Sequence, residues 1–421
     1  MKTSALQPLL ARPIGGRGFW PLDPAITYFN HGSWGSCPRP VLKFQRALQE
    51  QMERQPMRFL VDEIEGRWDA ARRALAKFVG ADAEGLVFVP NATAGVNTVL
   101  RSLNFRRGEE LLTTDHAYNA CRCALDFVAA RSGARVVTAN IPFPLATQQQ
   151  VVDAVLERVT RRTRLVLLDH VTSSSGLVLP VAEIVRELNA RGVESLIDGA
   201  HAPGMVPLNL RRLGATYYTG NCHKWLCAPK GAALLHVRAD HRAEIHPLVI
   251  SHGANSLRTD RSRFLLEFGW TGTGDFSACL SAPEALRVIG ALLPGGWPLV
   301  MRRNRALALA ARRLLCDTLQ IPPPCPDEMI GSLAAVPLPD MPAAEAARMA
   351  GGLAPLRARL LREYDIEVPV FPWPAPPKRL LRVSAQLYNS LPQFERLAEV
   401  LKRVLKNDEG PKPNDEGSPN G

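Results

Sequence analysis

The sequence predicts an α/β fold in which a mostly parallel sheet, flanked by helices, is followed by a smaller α+β domain. Between about residues 84 and 237, short β-rich runs alternate with helical stretches, which is the pattern of such a sheet. The runs cover residues 86–89, 110–113, 135–138, 165–169, 195–198 and 232–236. A sheet of this kind binds its ligand at the carboxyl ends of its strands.

The segments around this block predict the remaining elements. Residues 41–79 are expected to be largely helical, entered after Pro38 and Pro40 and interrupted at Pro56. After the sheet, helices are predicted over 283–293 and 301–319, then a proline-rich break at 321–326, and a last helix over 391–405. Four parts are expected, namely an N-terminal extension (1–27) packed on the small domain, a large domain (28–282), a small C-terminal domain (283–406) and a disordered polar tail (407–421).

The composition indicates a globular protein and argues against nucleic-acid-binding and membrane proteins. The chain has 421 residues, 46% of them hydrophobic and 22% charged, which is ordinary for a globular protein with one large and one smaller domain. The net charge is +11, but the basic residues are scattered in short pairs such as Arg106-Arg107, so we expect no nucleic-acid partner. Eight thinly spread cysteines, no apolar run of membrane length and no signal segment predict a cytoplasmic protein without a membrane partner.

Two segments carry the most specific chemistry. In residues 195–204 (SLIDGAHAPG), an apolar strand delivers Asp198 at its carboxyl end, and in residues 217–231 a short loop between strand-like runs holds Lys224. A partly desolvated lysine loses proton affinity, as a Schiff-base nucleophile requires. Pyridoxal phosphate needs this pair, because its aldehyde takes a lysine and its pyridinium nitrogen takes a carboxylate. Singly, such residues are more often a helix cap and a solvated lysine, so the prediction depends on the combination.

The combination resembles the class V aminotransferase family of fold-type I pyridoxal-phosphate enzymes, over about residues 28–390. The strongest markers are Asp198-Gly-Ala-His201 and His223-Lys224, at the spacing that the family pattern expects. The resemblance implies a seven-stranded type of sheet, pyridoxal 5′-phosphate bound as a Schiff base to Lys224, and a hydrogen bond from His201 to the phenolic oxygen of the cofactor. A histidine with a purely structural role is the alternative for His201.

The resemblance also implies a phosphate site. Residues 91–97 (NATAGVN) follow a strand and precede a helical run, as phosphate-binding turns do, although most such turns are plain helix caps. In the family this turn cradles the cofactor phosphate, here through Thr93 and Ala94, with His223 as a further contact. The segment 269–274, with Thr273, is similar to the stretch that reaches the phosphate from the neighbouring subunit, which implies a homodimer with shared active sites. A flexible surface loop is the alternative.

The segment 115–120 (DHAYNA) lies where the family places a group that stacks on the pyridine ring, and we assign this role to Tyr118. His116 stands in the same segment, so the register of this assignment could differ. Together with Cys121 and Cys123, His116 could suggest a metal site. No second ligand cluster has suitable spacing, so no metal is expected.

A substrate carboxylate is best held by a guanidinium. Arg382, in residues 381–389 (LRVSAQLYN), stands where the family places this group. Further candidate substrate contacts are Asn30, His31 and Ser173, and Arg58 could offer a second anionic subsite. Turn formation is the alternative for all of them.

The segments 29–35, 115–120 and 169–173 are most similar to isopenicillin N epimerase and its relatives, which include carbon–sulfur lyases. The expected substrate is a small amino-acid-like molecule, from which Lys224 removes the α-proton while Asp198 polarises the ring. Epimerisation is ranked first, with His31 and Tyr118 as candidates for a second proton donor. A β-lyase or aminotransferase is the alternative, and a non-catalytic binding protein is disfavoured by the intact Asp198, Lys224 and Arg382. No cysteine follows Cys325, which argues against persulfide chemistry.

Overall fold

The computed structural model describes residues 6–16, 18–348 and 354–408. The strands of this part of the chain are β1 (Thr27–Tyr28), β2 (Leu86–Val89), β3 (Glu110–Thr114), β4 (Arg135–Ala139), β5 (Thr163–Asp169), β6 (Glu194–Asp198), β7 (Tyr217–Asn221), β8 (Ala233–Val237), β9 (Leu333–Leu338), β10 (Ile366–Glu367), β11 (Val370–Pro372) and β12 (Arg379–Ser384). Its α-helices are α1 (Gln7–Leu10), α2 (Arg39–Arg54), α3 (Ile64–Val79), α4 (Ala92–Ser102), α5 (Asn119–Ser132), α6 (Gln149–Leu156), α7 (Val181–Ala190), α8 (Leu210–Leu213), α9 (Arg263–Gly269), α10 (Ser277–Leu280), α11 (Ala282–Gly290), α12 (Gly296–Leu319), α13 (Ala343–Arg348), α14 (Pro355–Tyr364) and α15 (Leu391–Asp408).

The centre of the fold is a seven-stranded sheet with the order β2-β8-β7-β6-β5-β3-β4. Strands β3 to β7 pair in parallel, and β8 is antiparallel to both of its neighbours. Every residue of β6, β7 and β8 is buried, because helices cover both faces of such a sheet. The α/β fold predicted from the sequence is confirmed, and the strand missing from the six predicted runs is β7.

Helix α4 lies very close to the sheet. A β-carbon on Gly95 would overlap the hydroxyl oxygen of Thr219 on β7, so only glycine allows this approach. The N-terminus of α4 therefore sits directly beside the ends of the central strands.

A second, antiparallel sheet of order β11-β12-β9 packs against helix α12, and helix α15 packs on α12. The short parallel pair of β1 and β10 joins the N-terminal part of the chain to this region. The amide of Ile14 donates to the carbonyl of Leu387 at 2.7 Å, and Arg303 donates to the carbonyl of Leu9 at 3.2 Å. The four-part division expected from the sequence stays a prediction.

The helix α15 reaches Asp408, so it takes in the first residues of the predicted tail, and the rest of that tail, from residue 409, lies outside the described residues. No helix in the described ranges is long and apolar enough to cross a membrane. All eight cysteines are free, and only Cys123 is exposed.

Candidate active site

The carboxyl ends of β5, β6 and β7, the N-terminus of α4 and the start of α5 surround one cavity of about 260 Å³. This volume is close to the lower end of the range of small-molecule sites, roughly 300–1,000 Å³. The predicted residues that line it are Thr93, Tyr118, Ser173, Asp198, His201, His223 and Lys224. Residues from five separate segments thus meet where the strand order predicts a ligand site.

Lys224 lies in the loop after β7 and is partly buried. Its Nζ is 3.1 Å from Nε2 of His201. Burial, reinforced by the positive charge of Arg382, lowers the pKa of Lys224 to about 8. A lysine in this condition is uncharged in a substantial fraction of molecules near neutral pH, so it can act as a nucleophile and as a base.

The loop of Lys224 is fixed from behind by the segment that begins after β1. A β-carbon on Gly35 would lie 2.6 Å from the carbonyl oxygen of His223 and 2.9 Å from that of Lys224, so the backbones pack directly on each other. The ring of His31 completes this support, with Nε2 3.0 Å from the carbonyl oxygen of Lys224.

His201 is held by two neighbours. The indole N–H of Trp225 donates to Nδ1 of His201 at 3.4 Å. Burial, together with the charge of Lys224, lowers the pKa of His201 well below its usual range, so the ring is neutral. Because Nδ1 accepts, the single ring proton resides on Nε2 and points at the amine of Lys224.

Asp198 ends β6 and is 3% exposed. Its Oδ1 accepts the amide of Ala200 at 2.9 Å, and its Oδ2 accepts the thiol of Cys121 on α5 at 3.1 Å. The two donors fix the carboxylate at the cavity wall, where it can pair with a positively charged ring nitrogen.

At the other end of the cavity, helix α4 begins with Asn91 as its cap. The side chain of Asn91 accepts the amide of Ala94 at 2.8 Å, and Oδ1 of Asn221 accepts the amide of Ala92 at 2.9 Å. Thr93 lines the cavity between them, whereas Ala94 lies on the far side of the helix, against a neighbouring groove. This end offers a hydroxyl group, an amide side chain and the positive end of a helix to an anion.

His223 closes the same end. Its Nδ1 lies 3.1 Å from the carbonyl oxygen of Ala232, and burial together with Lys224 lowers the pKa of His223 to about 4. An anion bound beside this ring would raise its pKa, because a negative neighbour favours the charged imidazole.

Tyr118 and His116 have clearly different surroundings in the structure. Tyr118 lines the cavity and is 44% exposed, so its ring is available to a ligand. His116 is buried in a different place, with Nδ1 2.7 Å from the hydroxyl oxygen of Ser175. The geometry therefore favours Tyr118 over His116 for contact with a ligand ring. Within the described ranges, no group of three or more histidine, cysteine or acidic side chains could hold a metal ion.

Arg382 projects from β12 towards the same cavity and is 1% exposed. Its guanidinium donates to the hydroxyl of Ser33 at 2.8 Å and to the carbonyl of Ser173, two residues that line the cavity. Among the described residues, no carboxylate pairs with Arg382, and its Nε has no acceptor. A buried guanidinium without a counter-ion gains free energy when it binds an anion, so this position is suited to a carboxylate.

Asn30 and His31 are close to these groups but do not line the cavity. Asn30 stands behind Arg382, with Oδ1 3.4 Å from the guanidinium and its amide group donating to Glu367 at 3.1 Å. Nδ1 of His31 is 2.9 Å from the hydroxyl of Tyr388, and burial lowers the pKa of His31 to about 3. Both side chains support groups of the site instead of facing the cavity.

Two residues that the sequence analysis predicted for the site lie outside the cavity. Thr273 lines a separate apolar groove with Ala94, Leu248 and Val249, on the other side of α4 from the cavity. Arg58 is exposed and pairs with Glu63 at 2.6 Å. A single chain brings neither residue into the cavity.

Several groups at the cavity were not predicted from the sequence, among them Ser33, which orients Arg382. Asp169, Asn221 and Trp34 line the cavity, and Cys121 contacts Asp198. Asp169 had a usable signal, because it ends a predicted strand whose carboxyl end must lie beside that of the next parallel strand. Trp34 and Cys121 had none, since their positions depend on how distant segments pack.

Comparisons with known proteins agree with this geometry. Residues 38–264 match the family model described as aminotransferase class-V. The chain is 34% identical to isopenicillin N epimerase of Streptomyces clavuligerus, over 91% of this chain and 96% of the relative. It is 29% identical to a probable chloroplastic L-cysteine desulfhydrase of Arabidopsis thaliana, over 91% of this chain and 84% of the relative. Among solved structures, the cystine C-S lyase C-DES has a TM-score of 0.73 at 22% identity and covers 90% of this chain and 97% of its own.

Proposed function

Because the chain belongs to the class V aminotransferase family, we propose that it is a pyridoxal-phosphate enzyme that epimerises an amino acid or an amino-acid-containing substrate at the α-carbon. The observation that carries the proposal is the meeting of Lys224, Asp198 and Arg382 around one cavity. These three groups are an amine, a carboxylate and an unpaired guanidinium, and they fit the three charged or reactive parts of a cofactor with an amino-acid substrate.

The residues present fit pyridoxal phosphate. Lys224 would hold its aldehyde carbon, Asp198 its ring nitrogen, Tyr118 its ring face, and Thr93 with the start of α4 its phosphate. When bound, the cofactor supplies an aldehyde that condenses with amines and a ring that withdraws electrons from the α-carbon.

The chain's own contribution begins at Lys224. With a pKa of about 8, its amine can take a proton from the α-carbon and return it at neutral pH. His201 directs the uncharged amine, because Nε2 lies 3.1 Å from Nζ and can donate its proton to the lone pair once Lys224 has lost its own. Asp198 contributes a fixed negative charge that two donors keep in place.

Arg382 would bind the α-carboxylate of the substrate. Its guanidinium is already oriented by Ser33 and Ser173, so little conformational entropy is lost when a carboxylate docks. Trp34 is 66% exposed and lines the same cavity, so it would contact the substrate side chain near the entrance.

Epimerisation needs a proton donor on the face opposite to Lys224. Between the two candidates, Tyr118 is supported by its position on the cavity wall, whereas the ring of His31 is engaged by Tyr388 and by the backbone of Lys224. Burial raises the pKa of Tyr118, so its phenol keeps the proton that it would donate.

A carbon–sulfur β-lyase is the alternative, and the relatives named as cysteine desulfhydrases favour it. It would use the same Lys224, Asp198 and Arg382, because elimination also starts with loss of the α-proton. Persulfide chemistry is disfavoured, since Cys325 is buried with its sulfur 3.6 Å from Arg312 and does not line the cavity.

The test is to incubate the purified protein, loaded with pyridoxal phosphate, with a panel of L-amino acids in deuterated water. Deuterium at the α-carbon with inverted configuration supports the epimerase, and sulfide or ammonia with a keto acid supports the lyase. The control is Lys224→Ala, in which both signals must disappear. Cofactor-dependent exchange that survives in Lys224→Ala would refute the mechanism.

The proposal includes a homodimer with shared sites. The groove around Thr273 is lined in part by Leu248 and Val249, which are 44% and 56% exposed, and Ile250, the next residue, is 62% exposed. Apolar surface of this kind is typical of a protein–protein interface. Sedimentation equilibrium tests this part directly, and a monomer at enzyme concentrations that support activity would exclude it.

A further inference from the structure

Asp169 is a buried acid at the edge of the cavity, and the mechanism above does not use it. It ends β5 directly beside Asp198, which ends β6, because the two residues are register partners in the parallel sheet. Partners on neighbouring strands lie about 5 Å apart at their α-carbons and project to the same side of the sheet. Two carboxyl groups therefore stand next to each other, at 4% and 3% exposure.

The hydrogen bonds of the two acids are unequal. Asp198 accepts a thiol proton from Cys121 and an amide proton from Ala200. Asp169 accepts the amide of Tyr118, but its Oδ2 has no donor anywhere in the described part of the chain, although it is buried. An ionised oxygen in such a position would be costly, whereas a protonated one becomes a donor and can find an acceptor in its neighbour.

We propose that Asp169 is a positioning residue that works as a neutral carboxylic acid, sharing its proton with Asp198 so that the pair presents one negative charge to the cavity. Like charges at this distance cannot both remain ionised without a counter-ion. The donors on Asp198 keep the charge there, and the proton resides on Asp169.

Among the side chains that face Asp169, Lys224 favours the ionised form of the acid, but burial and the charge of Asp198 outweigh it. Lys224 from the loop after β7 is the cation near it, Cys121 from α5 is a neutral thiol, and Tyr118 before α5 is a neutral phenol. Burial, together with the charge of Asp198, raises the pKa of Asp169 well above its usual range. Asp169 also ties the backbone of Tyr118 to the sheet, so it links the residue proposed for the ring face with the residue proposed for the ring nitrogen.

Infrared spectroscopy of the protein without cofactor tests the protonation state. A carboxylic acid gives a carbonyl band that carboxylates lack, and burial together with the charge of Asp198 raises the pKa of Asp169 well above its usual range. The band is expected at neutral pH in the wild type and in Asp126→Asn, an exposed control on α5, and it is expected to disappear in Asp169→Asn. A wild type without the band, or a band that persists in Asp169→Asn, would overturn the proposal.

The role in positioning is tested with the cofactor, and this part depends on the proposed function. Asp169→Asn keeps a neutral donor and an acceptor, so the affinity for pyridoxal phosphate and the pH titration of its absorbance should stay within about threefold of the wild type. Asp169→Ala loses the donor to a charged partner and should weaken cofactor binding by about tenfold or more. Equal values for the two variants would exclude the positioning role. A protein that binds no pyridoxal phosphate would refute the proposed function, and the infrared band would still decide the state of the pair.

Discussion

Replacing Arg382 by methionine should change the folding stability little and lower the catalytic activity strongly. The buried guanidinium has no carboxylate partner among the described residues, and burial lowers its pKa to about 10. Keeping the charge in this place at neutral pH costs about 3 kcal/mol. Its contacts with Ser33, Asn30 and Ser173 return about 1 kcal/mol each. The two contributions nearly cancel, so Arg382→Met should change the free energy of unfolding by less than about 1–2 kcal/mol.

The effect on catalysis should be far larger. A buried guanidinium that binds a carboxylate contributes about 2–5 kcal/mol to the recognition of that group. At about 1.4 kcal/mol per factor of ten, Arg382→Met should lower kcat/KM for α-proton exchange by about 30- to 5,000-fold.

The assay is proton exchange at the α-carbon, followed by nuclear magnetic resonance for an active L-amino acid and for its carboxamide. The wild type should discriminate against the carboxamide, and Arg382→Met should not. A loss below about tenfold, or equal losses on both substrates, would refute the role of Arg382 as carboxylate receptor.

Arg303 is the matched control for stability. It is also buried without a carboxylate partner in the described chain, but its guanidinium donates to the carbonyls of Leu9, Arg12, Gln386 and Asn389. Burial lowers the pKa of Arg303 to about 10, as it does that of Arg382, so the cost of the charge is similar in both places. Because Arg303 makes more hydrogen bonds, at about 1 kcal/mol each, Arg303→Met should lose about 2 kcal/mol more unfolding free energy than Arg382→Met. Urea denaturation of the two cofactor-free variants measures both unfolding free energies. Equal losses of unfolding free energy would contradict the expected difference between Arg303 and Arg382.

Three further predictions concern other parts of the site. The pKa of Lys224 is about 8 in the folded protein, whereas lysines of the unfolded chain stay protonated to higher pH. The unfolded state therefore binds more protons between about pH 8 and 10, so the unfolding free energy of the cofactor-free protein should rise over this range. Urea denaturation at several pH values measures this rise. Tyr118→Phe should bind pyridoxal phosphate within about twofold of the wild type and Tyr118→Ala about 2- to 10-fold more weakly in a fluorescence titration, because ring contact is worth about 0.5–1.5 kcal/mol. Asn91→Ala removes the cap of α4 and should cost about 1 kcal/mol of unfolding free energy, whereas Asn91→Asp should keep it.

The sequence predicted three general properties that are confirmed. These are the family, the fold class and the dependence on pyridoxal phosphate that accompanies this family. The reason is local: buried strands give continuous apolar runs, and the loops after them carry Asp198 and Lys224 within a short stretch of chain. The epimerase assignment is finer than these comparisons, because relatives named as epimerases and as desulfhydrases both match. The cytoplasmic location stays a prediction.

Side-chain direction was harder to predict than position in the chain. His31 comes from the segment predicted for substrate contact, but the side chains of Tyr388 and Gln386, more than 350 residues away, decide where its ring points. Asp169 ends a predicted strand, which was a usable signal, but its direct pairing with Asp198 follows from the sheet order and register. Thr273 is in a groove on the far side of α4, so its predicted role depends on a second chain.

The outcome of the reaction depends on groups beyond the shared proton transfer. Lys224, Asp198 and Arg382 serve epimerases and lyases equally, because both reactions begin with the same loss of a proton from the α-carbon. A lyase needs room and a proton for a departing β-substituent, whereas an epimerase needs a donor on the opposite face. Tyr118 lies on the cavity wall and keeps its phenolic proton, so the epimerase proposal depends on its position relative to Lys224. Tyr118→Phe should therefore retain α-proton exchange but lose inversion of configuration, and inversion at the wild-type rate in this variant would favour a different donor.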